Sequence, residues 1–339
     1  MNFEVSTAAG ALLAQLRLLA DVPLFAGIPE EELREIGKVL RRVELQRGDV
    51  LYRQGEEASG MHVITAGAVG VYGRLPAGRE VELGALGVGE VVGELALVDS
   101  STRAATVRAL EPTSAFFLGR ADFLALASRM DPTSVTIKRR LAATICERLR
   151  GCCDAMAVSL AEDAPGGDGE APTPADVADD EFVPATVPDE RYLLRLPFFR
   201  AFPPPQLPEL LAACRSLLVP ARRVLLREGA DPDVAYVTLN GAVEEALGRG
   251  ERRIRVRLAG PGRAAGYVGL VDGRPSSVTV ATRERALLLV VPRAAFTELF
   301  EGATALSYAF VDAVERDLVA ALRQAERPQA RLAASRPRA

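Results

Sequence analysis

The sequence has no strong excess of either charge. It contains 41 Lys and Arg residues against 45 Asp and Glu residues, which leaves a formal net charge of −4. So nearly balanced a chain has no overall electrostatic attraction to nucleic acid or to anionic lipid, and either partner would need a local basic patch. No dominant patch is visible. We therefore expect no specific nucleic-acid partner and no membrane partner.

Long apolar runs are also missing. No uncharged apolar stretch reaches the length of about 18 residues that a membrane-spanning helix requires. The first 25 residues show no basic leader and no cleavage signal. These absences predict a cytoplasmic protein.

Residues that carry metal or nucleophilic chemistry are few. His62 is the only histidine, and Cys146, Cys152, Cys153 and Cys214 lack the spacing of a metal site. No general acid/base pair or nucleophile constellation can be placed. We expect buried reduced thiols, a packing role for His62, no metal, no cofactor and no enzymatic activity.

The sequence does contain an internal repeat. The motif "YRQG", which ends at Gly55, matches "LREG", which ends at Gly229, and "ITAGAV" around Gly67 matches "TLNGAV" around Gly241. Both pairs are separated by 174 residues, which indicates a tandem duplication. The length agrees, because 339 residues are too many for one ordinary core and enough for two.

Composition and periodicity predict the domain boundaries. The first copy spans residues 20–160 and the second spans residues 191–327. Between them, residues 161–190 are rich in Pro, Gly, Asp and Glu and contain no Lys or Arg, which is typical of an acidic flexible linker. We expect residues 328–339, which carry three arginines, to form a disordered tail.

The first copy changes from helical to strand-like periodicity and back. A short helix is predicted after Pro29, short antiparallel strands broken by glycine over residues 44–119, and an amphipathic helix over residues 133–160. The fold class is therefore mainly β with flanking helices, as two tandem antiparallel β-rolls of jelly-roll-like form. The apolar stripes of the helices after the two rolls are Ile137, Leu141, Ile145, Leu149, Cys152 and Met156 in the first copy, and Leu306, Phe310, Val314 and Leu318 in the second.

The stretch "GELALVDSSTRAATV", which begins at Gly93, places two charges in a small, apolar run. A helix start beside Gly93 presents unpaired backbone N–H groups that suit a phosphate, and Arg103 can add a forked contact next to Ala104 and Ala105. Glu94 cannot face the same anion, so it is better placed to accept a hydrogen bond from a ribose hydroxyl. The stretch predicts a ligand with both groups. An internal ion pair between Glu94 and Arg103 is the alternative.

This stretch resembles the phosphate-binding cassette of the cyclic nucleotide-binding domain family, which reads approximately F-G-E-x-A-L-x-x-x-x-P-R-A-A-T-V. Val92 and Thr102 depart from that pattern, and neither change removes a ligand group. The resemblance covers nearly the whole chain apart from the linker and the two ends. It implies ribose contacts for Gly93, Glu94 and Leu95, and phosphate contacts for Arg103, Ala104 and Ala105.

The resemblance also implies a ligand and a response. Ala104 stands where members that recognise guanine carry Ser or Thr, so cyclic AMP is favoured over cyclic GMP. In this family the helix after the roll closes over the base. Here that helix is residues 133–160, with Thr144 and Arg148 as candidate base contacts. We predict a sensor that signals in trans to a protein effector, with homodimerisation left open. The alternative is an interaction scaffold that responds to no nucleotide.

The second copy lacks both charges of this cassette. Its segment "GYVGLVDGRPSSVTV" has Tyr267 in the place of the acid and Ser276 in the place of the arginine. Loss of one buried charge-assisted contact costs about 2 to 5 kcal/mol, or roughly thirtyfold to several thousandfold in affinity. Arg263 and Arg274 lie nearby and are candidates to compensate. We predict that the second domain keeps the fold without the usual site, so that one nucleotide binds per chain.

Overall fold

A computed structural model describes residues 17–74, 78–98, 101–129, 131–161, 175–176, 182–249 and 252–335 of the chain. It divides into two compact units, Met1–Leu141 and Ala142–Ala339. Both units are antiparallel β-rolls with flanking helices, which is the predicted fold class. Among the described residues, no helix combines the length and the apolar character needed to cross a bilayer.

Among its described residues, the first unit has eight short strands, which follow a 3₁₀ turn (Pro23–Phe25) and a helix. Its elements are α1 (Glu30–Val39), β1 (Arg41–Leu45), β2 (Val50–Tyr52), β3 (Gly60–Ala66), β4 (Val69–Arg74), β5 (Glu80–Leu86), β6 (Val91–Val92), α2 (Leu95–Val98), β7 (Thr106–Ala109), β8 (Thr113–Gly119) and α3 (Arg120–Ala127). One sheet has the strand order β1-β8-β3-β6 and the other β2-β7-β4-β5.

Strands β3 and β8 of the first unit are buried along most of their length, whereas β1 and β5 are mostly exposed or half-buried. The predicted helix after Pro29 is present as α1, with three glutamates in its first turn, where they suit the positive end of the helix dipole. The hydrophobic core of this unit includes Tyr52, Ile64, Val69, Val92, Val107 and Ala115.

A long helix, α4 (Pro132–Ala161), follows the first roll. Ser134 and Asp131 cap its start reciprocally, since Ser134 N donates to Asp131 Oδ1 at 2.7 Å and Asp131 N donates to Ser134 Oγ at 3.0 Å. Every residue of its predicted stripe is buried, which confirms the helical period. The boundary between the units falls inside α4, between Leu141 and Ala142.

The second unit repeats the roll. Its remaining elements are β9 (Ala175–Asp176), β10 (Val183–Pro184), α5 (Glu190–Leu193), α6 (Leu207–Ala212), β11 (Arg215–Val219), β12 (Arg223–Leu226), β13 (Val234–Asn240), β14 (Val243–Arg249), β15 (Arg252–Ala259), β16 (Ala264–Ala265), α7 (Val268–Asp272), β17 (Thr279–Thr282), β18 (Ala286–Pro292), α8 (Arg293–Glu301) and α9 (Ala305–Ser335). Its sheets have the orders β10-β11-β18-β13-β16 and β15-β14-β17-β12-β9. The predicted stripe of α9 is buried along its length.

The predicted linker and tail differ from the structure in three places. Within residues 161–190, β10 pairs with β11 and β9 pairs with β12, so parts of the segment form edge strands. Pro184 is compatible with an edge strand, because the outer side of such a strand pairs with no neighbour and needs no N–H donor. Residues 162–174 and 177–181 lie outside the described residues.

The third difference concerns the predicted tail at 328–339. Helix α9 continues past Pro328 to Ser335, although a proline removes one helical hydrogen bond. The Gln, Ala, Arg and Leu residues that follow it are strong helix formers and carry the helix on. Residues 336–339 lie outside the described part of the chain.

Candidate functional site

The stretch that carries Glu94 and Arg103 lies between β6 and β7 of the first unit. Its end is fixed to the turn after β2 by the main chain, because Arg103 N donates to Glu56 O at 2.9 Å and Gly55 N donates to Arg103 O at 3.0 Å. These bonds place the backbone of residue 103 before its side chain makes any contact.

The side chain of Arg103 is a buried cation, only 3% exposed. Its Nη1 donates to Gly93 O at 2.8 Å, and its guanidinium carbon lies 4.1 Å from the centre of the Tyr52 ring. Its Nε is buried and has no hydrogen-bond acceptor among the described residues, and burial lowers the pKa of Arg103. Within the described part of the chain, no carboxylate lies within ion-pair distance of this guanidinium. The site therefore contains a desolvated cation that is not fully hydrogen-bonded within the described part of the chain.

Gly93 makes room for that guanidinium. Its φ of +89° lies in the left-handed region, and a Cβ at this position would stand 2.5 Å from Arg103 Nη1 and 3.2 Å from Tyr52 Cε1. Both the backbone conformation and the space at residue 93 thus require glycine.

Glu94 starts the short helix α2 and is fully buried, at 0% exposure. Its carbonyl accepts hydrogen bonds from Leu97 N at 2.9 Å and from Val98 N at 3.3 Å. Its carboxylate raises the pKa of Arg103, although less than burial lowers it. The structure thus brings the two predicted charges into one site without the direct ion pair that was the alternative.

The other predicted site residues lie beside them. Leu95 and Ala105 are buried, and Ala104 is partly exposed. All six therefore fall in one segment of the first unit, and their contacts with a ligand stay predictions. The candidate base contacts, Thr144 and Arg148, lie in the second unit, and their role also stays a prediction.

Tyr52 is a site residue that the sequence reasoning missed. Its ring lies under the Arg103 guanidinium, in a geometry that contributes roughly 0.5 to 2 kcal/mol as a cation–π contact. The repeat holds the signal that could have found it, because Leu226 replaces the tyrosine and Ser276 replaces the arginine in the second copy. The two partners of the contact are lost together.

His62 packs as predicted, with its ring centre 5.0 Å from that of Phe117. It lies close enough to Arg103 for the charge of that guanidinium to affect its pKa. Burial first, and the charge of Arg103 second, lower the pKa of His62 from 6.5 to about 4. The imidazole is therefore neutral at pH 7 and adds no second cation to the site.

Comparisons with known proteins agree with this geometry. The profile of the cyclic nucleotide-binding domain matches residues 42–130 and residues 217–302. The chain belongs to the cyclic nucleotide-binding domain family. Each match contains one of the two cassettes, so the predicted resemblance and the tandem arrangement are confirmed.

Several relatives share parts of the chain. It is 32% identical over 128 residues to a cyclic AMP receptor protein of Thermus thermophilus, which is 38% of this chain and 57% of that protein. It is 38% identical over 97 residues to a cAMP-dependent protein kinase regulatory subunit of Mycosarcoma maydis, which is 29% of this chain and 18% of that protein. The chain thus spans less than two thirds of these relatives.

A solved structure of the regulatory domain of Toxoplasma gondii PKA with cAMP also matches this chain. It is 18% identical, the match covers 87% of this chain and 94% of that one, and the TM-score is 0.35.

In the second cyclic nucleotide-binding domain, the residue in the acid's place points elsewhere. Tyr267 is fully buried, and its hydroxyl donates to Asp317 Oδ2 on α9 at 2.8 Å. Burial first, then the charge of Asp317, raise the pKa of Tyr267. The position offers no carboxylate to a ribose hydroxyl.

The two arginines considered as substitutes in this second domain are paired with acids. Arg263 Nη1 lies 3.7 Å from Asp317 Oδ1, and Arg274 Nη1 lies 3.3 Å from Glu147 Oε2. Ser276, in the place of Arg103, donates its hydroxyl to Val278 O at 2.8 Å. None of these side chains reproduces the buried cation of the first cassette.

Proposed function

We propose that the first domain binds one cyclic nucleotide, with Arg103 on the cyclic phosphate and Glu94 on the ribose. The observation that carries this proposal is the buried Arg103 guanidinium, whose Nε has no acceptor among the residues that the structure describes. A buried charge without full pairing is costly. A phosphate oxygen supplies the missing acceptor and a short, charge-assisted hydrogen bond.

Cyclic AMP is the ligand we propose, with cyclic GMP as the alternative. Ala104 has no hydroxyl with which to assist guanine recognition, and one of the relatives is described as a cyclic AMP receptor protein. The backbone beside Ala104 and Ala105 can approach the phosphate closely because both side chains are small. No cofactor or metal takes part in this mode of binding.

The proposed role is that of a cytoplasmic regulatory protein without enzymatic activity. Helix α4 follows the first roll after the short helix α3 and is the element whose position a ligand would change. The signal would pass in trans to a protein effector, because no catalytic constellation is apparent in the sequence. A ligand shifts such an equilibrium only through its different affinities for the two states.

A scaffold role is the second candidate, and it is favoured for the second domain alone. There the two charged anchors are absent, and Tyr267 is bonded to α9. The proposal therefore assigns nucleotide binding to the first domain and an interaction role, including a possible homodimer contact, to the second.

Calorimetry and thermal melting of the full chain with cyclic AMP and cyclic GMP test this function. We expect one site per chain and, at 100 times the dissociation constant, about 2.7 kcal/mol of stabilisation. Arg103→Ala should weaken binding by roughly thirtyfold or more, because it removes a buried charge-assisted contact. Arg129→Ala is the matched control, since it removes an arginine of the same unit from a partly exposed ion pair with Glu32.

The outcomes separate the two candidates. Binding of two nucleotides per chain would contradict the assignment of the second domain. Absence of any response to either nucleotide in the wild-type chain would favour the scaffold. Equal losses of nucleotide affinity in Arg103→Ala and Arg129→Ala would show that Arg103 does not contact the nucleotide.

A further inference from the structure

The second cassette contacts a buried arginine of α4, whereas the first cassette is proposed to bind an anion. Arg150, on the part of α4 that belongs to the second unit, is 5% exposed. Its Nε and Nη2 donate to the two carboxylate oxygens of Asp272 at 2.6 and 2.8 Å, which is a bidentate fork. Asp272 is the last residue of the cassette helix α7.

The remaining donors of Arg150 also end on this cassette. Nη1 donates to Pro275 O at 2.8 Å and to Ser277 Oγ at 2.7 Å, and Nη2 donates to Arg274 O at 3.3 Å. A guanidinium has five N–H donors, and Arg150 uses all of them. Every acceptor lies within residues 272–277, and the hydrogen bond to Asp272 raises the pKa of Arg150.

The charged groups that line the recess beside this guanidinium are already paired. It encloses about 440 Å³, open solvent included, and Arg150, Glu245 and Ser277 contribute to its lining. Glu245 is negatively charged, and its carboxylate is held by Arg257 and by Gly266 N, 3.0 Å away. A cyclic phosphate entering here would meet a carboxylate and a guanidinium with no free donor.

We propose that the second cassette is a guanidinium-binding site, occupied by this chain's own Arg150. The second cassette binds a cation and not an anion because of the two sequence differences already described, at Tyr267 and Ser276. Ser276 supplies no internal cation, and the acceptors of residues 272–277 are left to bind one from α4. The contact anchors α4 on the second domain and closes that domain to nucleotides.

Chemical rescue of the full chain tests this proposal. Arg150→Ala should lower Tm by about 5 to 15 °C, because it leaves the carboxylate of Asp272 buried without its partner. Guanidinium chloride at about 10 mM should then raise the Tm of this variant by mass action, with sodium chloride as the ionic-strength control. Wild type should not gain, because its site is filled. Arg316→Ala removes an arginine of the same unit from a helix-surface pair and should not gain either.

The double variant Arg150→Ala/Asp272→Asn identifies the site. It should show no rescue, because the carboxylate that forks the guanidinium is gone. Equal rescue of this double variant, or no rescue of Arg150→Ala beyond that of Arg316→Ala, would overturn the proposal. Neither outcome depends on cyclic nucleotide, so the proposed function of the first domain can fail or hold independently.

A second measurement covers the case in which Arg150→Ala does not fold. Arg150→Lys keeps the charge and the stem of the side chain but loses the fork. It should lower the folding equilibrium constant about tenfold or more in the wild-type background and by less than about threefold in Asp272→Asn. Equal losses in the two backgrounds would show that Arg150 and Asp272 are not coupled and would overturn the proposal.

Discussion

Gly93→Ala is the substitution that most directly tests the geometry of the first cassette. The added Cβ would lie 2.5 Å from Arg103 Nη1 and 3.2 Å from Tyr52 Cε1, so the guanidinium must leave its position over the Tyr52 ring. The hydrogen bond from Arg103 to Gly93 O would be lost with it. The substitution therefore changes the position of the Arg103 guanidinium without altering its charge.

The expected magnitude has two parts. An alanine at the φ of +89° costs about 1 to 2 kcal/mol of folding free energy. The displaced guanidinium no longer meets the phosphate, which should weaken cyclic AMP binding by roughly thirtyfold or more. The loss of affinity should therefore exceed what the loss of stability explains.

Gly266→Ala in the second domain is the matched control. Gly266 stands at the equivalent position with a φ of +72°, but the nearest atom to an added Cβ is Tyr236 Cδ2 at 3.5 Å, which is an ordinary contact. It should lose similar stability in urea denaturation and keep the wild-type affinity in calorimetry. If Gly93→Ala also binds cyclic AMP with wild-type affinity, Arg103 is not the anion contact and the site must be reconsidered.

Two further predictions concern the surroundings of Arg103. Tyr52→Leu, which introduces the residue found at Leu226, should weaken nucleotide binding by about 2- to 30-fold through loss of the cation–π contact, and Tyr52→Phe should retain most of the affinity in the same calorimetric assay. Because burial and the charge of Arg103 lower the pKa of His62 to about 4, the folded state favours the neutral imidazole and the free energy of unfolding should be greatest above pH 6.5. It should fall by about 3 kcal/mol as the pH drops from 6.5 toward 4. His62→Phe should flatten this dependence in urea titrations, and an unchanged slope would contradict the assignment to His62.

The parts of the fold that depend on local pattern could be predicted from the sequence. The helical period of α4 and α9 and the short glycine-broken strands of the rolls are properties of short windows, and the repeat indicated the number of domains. The six candidate site residues lie within one stretch of thirteen positions, from Gly93 to Ala105, so their proximity also followed from the sequence.

Contacts between distant positions could not be predicted in this way. Tyr52 lies under Arg103 although it belongs to β2 and Arg103 follows β6, and Arg150 reaches Asp272 across 122 positions of sequence. Strands β9 and β10 could not be predicted either, because they pair with the distant strands β12 and β11. Their own composition is that of a linker. The composition of a segment indicates how much conformational entropy is lost when the segment becomes ordered. It does not show which strand edge the segment will pair with.

The two cassettes of this chain also bear on an objection to the proposed site, namely that any such cassette needs an arginine for structural reasons alone. Arg150 supplies a guanidinium to the second cassette, where Ser276 cannot, and it satisfies all five of its donors there. An unpaired buried donor costs about 1 to 3 kcal/mol, so satisfying all five donors of Arg150 stabilises the second domain. In the described part of the chain, Arg103 instead has no acceptor for its buried Nε and contacts one carbonyl and one aromatic face. That contrast supports the proposal that the anion binds in the first cassette.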